Sequence, residues 1–214
     1  MYVPKQFQES RIERLAEAIR DIELATVVTA VEGRYYTSHI PMIFKHSSGE
    51  MFLEGHVARA NGHWTAVVEG RASIATFMGP QTYISPSWYE TKREHGRAVP
   101  TWNYLVVQAD GVLKAIESRD WLLAHLEELT RLNESHRNNP WDLRDAPDGF
   151  IENLSIAVVG LRLEIQSMTG CWKMIQHRSQ GDRSGAIAGL LESDKPRDRE
   201  VGVIMRNLDR DRLS

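Results

Sequence analysis

Three stretches rich in β-branched and aromatic residues, 24–31, 35–44 and 51–57, follow one another through short turn signals, Glu32-Gly33 and 46–50. Parallel neighbours need a crossover of about a dozen residues or more, and these links have no room for one. The segment must therefore fold as an antiparallel meander, with Pro41 holding part of the second strand at an edge. Residues 71–78 and 158–167 also read as strands, and Leu161, Leu163 and Ile165 alternate with Arg162 and Glu164 in the latter. A hairpin is expected from 102–109 and 112–116 around the Asp110-Gly111 turn signal. Six to seven antiparallel strands with short links favour a barrel, because closure removes exposed edges. The expected class is α+β, an antiparallel barrel with peripheral helices.

Helical spacing marks that periphery. Ser10 and Glu13 have capping-box spacing beside Ile12, Leu15, Ala16 and Ile19. Residues 58–68 read as a short helix beneath the sheet. An amphipathic helix carries Trp121, Leu122, His125, Leu126, Leu129 and Leu132, with His125 as a packing residue on its apolar face. The polar stretch 133–149, with Pro140 and Pro147, is an excursion that a short helix at 150–156 ends. Ser179 caps a further helix, and 195–214 is a charge-laced one. The layout is one domain over 1–214, with a helical excursion around 118–157 and a helical extension at 179–214.

The segment 79–89 and its partner 99–104 concentrate proline, aromatic and hydroxyl residues. Pro80, Pro86 and Pro100 remove ladder donors and place these strands at edges or bulges. Ser85, Ser87, Thr101 and Asn103 are interspersed with Tyr83, Trp88, Trp102 and Tyr104. Such a wall suits a planar ligand with polar edges, although aromatic-rich strands more often serve as core; the steps Ser85-Pro86-Ser87 and Val99-Pro100-Thr101, for which a plain core strand has no use, favour a site. Between the halves, 90–97 reads as a solvated loop and a candidate lid. Arg59 and Asn61, at the start of the expected helix, could hold a phosphate through the guanidinium and free backbone donors, or simply be solvated.

GPQTYISPSWYE followed by VPTWNY resembles the signature of the PaiB family, FMN-binding negative transcriptional regulators. The amino-terminal MYVPKQF, the GHVARANGHW stretch and the late GCWKMIQHR match the same family in order. The resemblance implies a homodimer of split barrels with FMN between the subunits; a cytoplasmic location is the default expectation from the single cysteine and the lack of a signal-peptide pattern. It places His56, Arg59, Asn61, His63 and Trp64 near the cofactor and supports a phosphate role for Arg59 and Asn61. Ser85, Ser87, Trp88, Trp102 and Asn103 complete the wall, with Trp88 or Trp102 stacking on the ring. Lys173 and Gln176 are the candidate donors to the flavin's carbonyl edge. The family is similar to haem-dependent piperazate synthases, so haem b is the alternative cofactor, with His63 as axial ligand and an oxidoreductase activity. Gly62 stands where proline is expected, and His177 where the family usually has asparagine. A structural dimer with a vacant pocket is the third reading.

The remaining chemistry is narrowed by absence of motif. Eight histidines contain no His-x-His pair and no HExxH, and the single Cys171 excludes an internal disulfide and a cysteine-based zinc site. GxSxG and phosphate-loop motifs are missing, and no catalytic residue is assigned. The net charge of −3 argues for weak or indirect DNA contact. No apolar run reaches the roughly 20 residues that span a bilayer, so no membrane association is expected.

Overall fold

The computed structural model describes residues 1–213, with side chains through residue 210. The strands are β1 (Gln8–Glu9), β2 (Leu24–Val31), β3 (Arg34–Pro41), β4 (Ile43–Ser47), β5 (Glu50–Ala58), β6 (Arg71–Ile84), β7 (Thr101–Ile116) and β8 (Val158–Lys173). The helices are α1 (Ile12–Ile22), α2 (His63–Ala66), α3 (Glu90–His95), α4 (Arg119–Glu134), α5 (Phe150–Ser155), α6 (Gln180–Leu191) and α7 (Pro196–Leu213). The strands hydrogen-bond in the order β3-β2-β6-β7-β8-β5-β4, with β1 added to β8. β1–β8, β2–β3, β2–β6, β4–β5 and β5–β8 are antiparallel.

The α+β class and antiparallel pairing are as expected, but eight strands form, and among the described residues the order ends at β3 and β4 without closing. Met42 explains the break: its N–H bonds the Glu23 carbonyl at 3.0 Å, dividing the expected 35–44 strand into β3 and β4. The expected hairpin at Asp110-Gly111 is absent, and β7 runs straight through it. A Cβ on Gly111 would lie 2.1 Å from the Glu164 carbonyl oxygen, so this glycine admits a neighbouring backbone and makes no turn. The capping at Ser10 also differs, because the Glu9 carboxylate takes the N–H groups of Ser10 and Arg11.

The chain divides into two compact units, and β6, β7 and β8 contribute residues to both. The first gathers residues 1–15, 78–107 and 169–214. Its core includes Ile84, Tyr89, Met174, Leu190 and Val201, and a smaller cluster joins Phe7, Val106 and Cys171. The second gathers 16–77 and 108–168 around Ile19, Val27, Ile40, Leu53, Phe77, Leu113 and Leu161. Alternation along β2 sets its faces: Ala25, Val27 and Thr29 are buried, whereas Leu24 and Ala30 are exposed.

The expected excursion contains α4 and α5, and the extension contains α6 and α7. Ser118 Oγ accepts the Trp121 N–H and Ser179 Oγ the Asp182 N–H, each satisfying one free donor of a helix start. Of the charged tail, Ser214 lies outside the described residues.

Candidate functional site

In the first unit, β6 runs into a turn of 3-10 helix at Pro86–Trp88, where Ser85 Oγ accepts the Ser87 N–H at 3.2 Å. The segment expected as a loop is the helix α3, closed by Gly96 at φ +73°. It is fastened by Asp182, whose Oδ1 accepts both the N–H and the hydroxyl of Thr91 at 3.0 Å. Burial opposes ionisation of Asp182, but the Thr91 and Arg178 hydrogen bonds outweigh it and lower the pKa. Trp88 is half-buried against a glycine stripe on α6. A Cβ on Gly185 would lie 2.1 Å from its carbonyl oxygen, and one on Gly189 2.3 Å from its indole Nε1. The three-to-four-residue spacing of a helix puts both glycines on one face, giving Trp88 a packing role.

Trp102 behaves differently. Its side chain is left 41% exposed, and its indole N–H reaches Gln81 Oε1 at 3.1 Å. Tyr104, two residues along β7, faces the same way. The Lys173 ammonium lies 5.7 Å from the centre of the Tyr104 ring and donates to Thr101 Oγ1 at 3.1 Å. Its hydrogen-bond partner is thus a hydroxyl, which leaves the positive charge available to an anion. Burial, together with the Cys171 contact, raises the Tyr104 pKa, and burial raises that of Cys171, so both stay protonated near neutrality.

An expected wall residue and an expected flavin-edge donor are engaged within the protein. Asn103 is fully buried, with Nδ2 3.3 Å from Met205 Sδ and Oδ1 unpartnered. Gln176 clamps its own turn, accepting the Met174 N–H and donating to the Trp172 carbonyl. Ser87 Oγ receives Lys92 at 3.5 Å. His177 is exposed and meets Phe7 edge-on.

The second unit holds the other expected residues. The helix read at 58–68 is only four residues long, too short to provide an anion-binding dipole. Arg59 uses its guanidinium locally, donating to Glu117 at 2.8 Å and to the Ile156 carbonyl at 2.9 Å. It lies 5.5 Å from the Trp64 ring centre, and the Trp64 indole donates to the Arg59 carbonyl. Arg59 and Trp64 therefore form a self-contained loop corner. Asn61 Oδ1 accepts the His63 N–H, and its Nδ2 donates to Ser38 Oγ.

His63 is 1% exposed, with Nε2 2.8 Å from Thr29 Oγ1 and Nδ1 3.0 Å from Ser38 Oγ. Ser73 donates to the Arg71 carbonyl, so the Thr29 hydroxyl donates to Ser73 and must itself accept from His63. This assigns the proton to Nε2 and leaves Nδ1 to accept from Ser38. Burial lowers the His63 pKa, consistent with the neutral ring. As arranged, neither nitrogen offers a lone pair to an axial iron.

His56 belongs to a separate cluster. Its Nδ1 is 3.2 Å from Nε2 of His125, which Trp121 stacks against at a ring separation of 5.0 Å. His125, expected as a satisfied packing residue, is buried with Nδ1 unpartnered. Nearby Glu54, 2% exposed, accepts from Arg162 at 2.5 Å and pairs with Lys45 at 3.0 Å. Burial opposes its charge, yet these bonds hold its pKa below the usual range. Sequence reasoning missed this centre. The signal was the charge of Arg162 on its strand, but naming Glu54 as its cross-strand partner required the β5–β8 register.

A family model described as "Putative FMN-binding domain" matches residues 1–167. A Bacillus subtilis relative named "Protease synthase and sporulation protein PAI 2" is 29% identical over 209 residues, covering 97% of each chain. The chain belongs to the PaiB family. An uncharacterised Emericella nidulans protein is 32% identical over 226 residues, covering 89% of this PaiB-family chain and 90% of the relative. Among solved structures, the FAD and haem binding protein from Mycobacterium smegmatis aligns with a TM-score of 0.54 at 17% identity, covering 78% of this chain and 73% of that one. The conserved hypothetical protein Rv2991 from Mycobacterium tuberculosis aligns with a TM-score of 0.56 at 11% identity, covering 84% and 95%. At these identities the likeness is one of fold. No helix among the described residues is long and apolar enough to cross a membrane.

Proposed function

We propose that this PaiB-family protein binds FMN, with Lys173 and Thr101 as anion-directed donors and Trp102 as the flat apolar contact. The observation that carries the reading is the Lys173 ammonium, bonded to a hydroxyl and lying over Tyr104 on the side of β7 that Trp102 shares. A planar anion needs a charge and a flat surface, and these groups supply both. Ser85 and Ser87 add short hydroxyl groups from the β6 end. FMN, when bound, supplies one- and two-electron redox chemistry, and the chain's own part is to bind it and hold donors at its edge. A positive charge near the carbonyl edge favours the anionic reduced form, the role given to Lys173.

The same reading takes the protein as a homodimer and, by its family, as a negative regulator of transcription. With a net charge of −3, contact with DNA is weak or indirect. The structural relative described as binding FAD and haem keeps a second cofactor in view, but the bonded state of His63 favours flavin over haem.

The test is the visible absorption spectrum of freshly purified protein, followed by titration with FMN and with hemin. A two-band flavin spectrum, or FMN uptake that Lys173→Ala weakens, supports the reading. A Soret band lost in His63→Ala would replace it with haem binding, and uptake of neither cofactor would refute it. Salt-sensitive retention on a specific DNA would then support the regulator, and substrate-dependent flavin reduction an oxidoreductase.

A further inference from the structure

In the second unit, the C-terminal end of α1, the β3–β4 break at Met42 and the helix α4 border a cleft of about 340 Å3. Its floor is apolar. Met42 is buried, Ile43, Phe44 and Leu129 are half-buried, and Leu132 stays 43% exposed although it belongs to the apolar stripe of α4. Such a stripe ordinarily lies under another element, and here the cleft stands in that place. The rim is charged at one end, where Arg20 comes from the last turn of α1 and Glu23 directly follows the helix. Among the described residues neither side chain forms a hydrogen bond or an ion pair, not even with the other. Glu128, the remaining charged group at the rim, is neutralised by Lys45.

Glu23 is held in an unusual way. Its φ is +58°, in the left-handed region where glycine or asparagine is usual after a helix. The Ile19 carbonyl accepts its N–H at 2.8 Å, and its own carbonyl accepts the Met42 N–H at 3.0 Å. The main chain is thus clamped on both sides, which fixes the direction in which the carboxylate leaves it. Residues kept in so sparsely populated a conformation gather at ligand sites.

We propose that this cleft binds a free α-amino acid with an apolar side chain, such as leucine or phenylalanine. The Arg20 guanidinium takes the ligand's carboxylate, and the Glu23 carboxylate takes its ammonium group. Residues three apart along a helix surface lie about 5–6 Å apart at Cβ, and the two charges of an α-amino acid sit on one carbon. Asn133 donates from Nδ2 to the Leu129 carbonyl at 3.0 Å, which leaves Oδ1 to accept a second ammonium proton. The ligand's side chain lies along Phe44, Leu129 and Leu132. The pairing of charges selects the class: a simple carboxylate would meet Glu23 and an alkylamine would meet Arg20, whereas a zwitterion satisfies both. Glycine lacks the apolar group that would cover the floor. The site is independent of the flavin reading.

Isothermal titration calorimetry of the full chain with leucine and phenylalanine tests it. A ligand of about ten non-hydrogen atoms in an open cleft should bind with a dissociation constant on the order of 0.1 mM. Isocaproate, which is leucine without the ammonium group, isoamylamine, which is leucine without the carboxylate, and glycine should each bind about tenfold or more weakly. Arg20→Gln and Glu23→Gln should each weaken leucine binding by about tenfold with the thermal midpoint unchanged. No binding of either amino acid would overturn the proposal. So would isocaproate or isoamylamine binding as tightly as leucine, or a leucine affinity that either variant preserves.

Discussion

Protonation of His125 should weaken the fold, and by an amount that can be worked out. The ring is 3% exposed, stacked on Trp121, and faces the His56 Nδ1 at 3.2 Å. Burial and then the neighbouring His56 lower its pKa from 6.5 to about 4. The unfolded chain therefore takes up the proton first. Stability from this site is complete above pH about 6.5 and is lost progressively as the pH falls towards 4. Between pH 7.5 and 4.5 those two values correspond to a loss of about 2.5 kcal/mol. His56, also lowered by burial, titrates in the same direction, and the pair shares its protons. His125→Phe keeps an aromatic ring against Trp121 but cannot be protonated, at a cost near pH 7 of about 1 kcal/mol for the unpartnered His56 nitrogen. Urea unfolding followed by tryptophan fluorescence gives the stability of both proteins at each pH. Subtracting the two curves removes the other carboxylates and histidines to first order. The variant should lose about 2 kcal/mol less than the wild type over the interval. Equal losses would refute the argument and show that the ring charges in the folded state without penalty.

Lys173→Ala should weaken FMN binding by about tenfold, roughly 1.4 kcal/mol, with the thermal midpoint little changed; unchanged affinity in fluorescence titration would remove Lys173 from the site. Gly185→Ala gains about 1 kcal/mol of helix propensity, but its Cβ would meet a backbone carbonyl at 2.1 Å that cannot rotate aside. Net destabilisation of about 1 to 2 kcal/mol is expected from thermal melts, and a stabilised variant would show that the Trp88 segment yields. Glu54→Ala leaves Arg162 and Lys45 without their shared carboxylate and should cost about 3 kcal/mol, whereas a loss below about 1 kcal/mol in urea unfolding would mean that water replaces it.

Much of the fold was legible because strand and helix signals are local. The short links between 24–31, 35–44 and 51–57 forced antiparallel pairing, and Ser179 marked a helix start that forms as read. The misreadings share a cause. Gly111 resembles a turn glycine until the Glu164 carbonyl is seen beside it, and 90–97 resembles a free loop until Asp182 is seen to hold Thr91. Neither neighbour is close in sequence. At the candidate site, the enrichment of aromatic and hydroxyl residues was visible, but not which of them would be turned outward: Trp102 is exposed, while Asn103, the next residue, is buried.

By itself the sequence determined the family, the α+β class and the faces of the strands, since side-chain period and turn chemistry are properties of neighbouring residues. Only the tertiary structure decided which partners those side chains meet. Glu54 and Arg162, separated by 108 positions, become a part-buried pair, and His63 is held between hydroxyl groups from β2 and β3. Periodicity records which way a residue faces, whereas the energy of a charge or an imidazole depends on what stands opposite it, and that is set only when distant strands come into register.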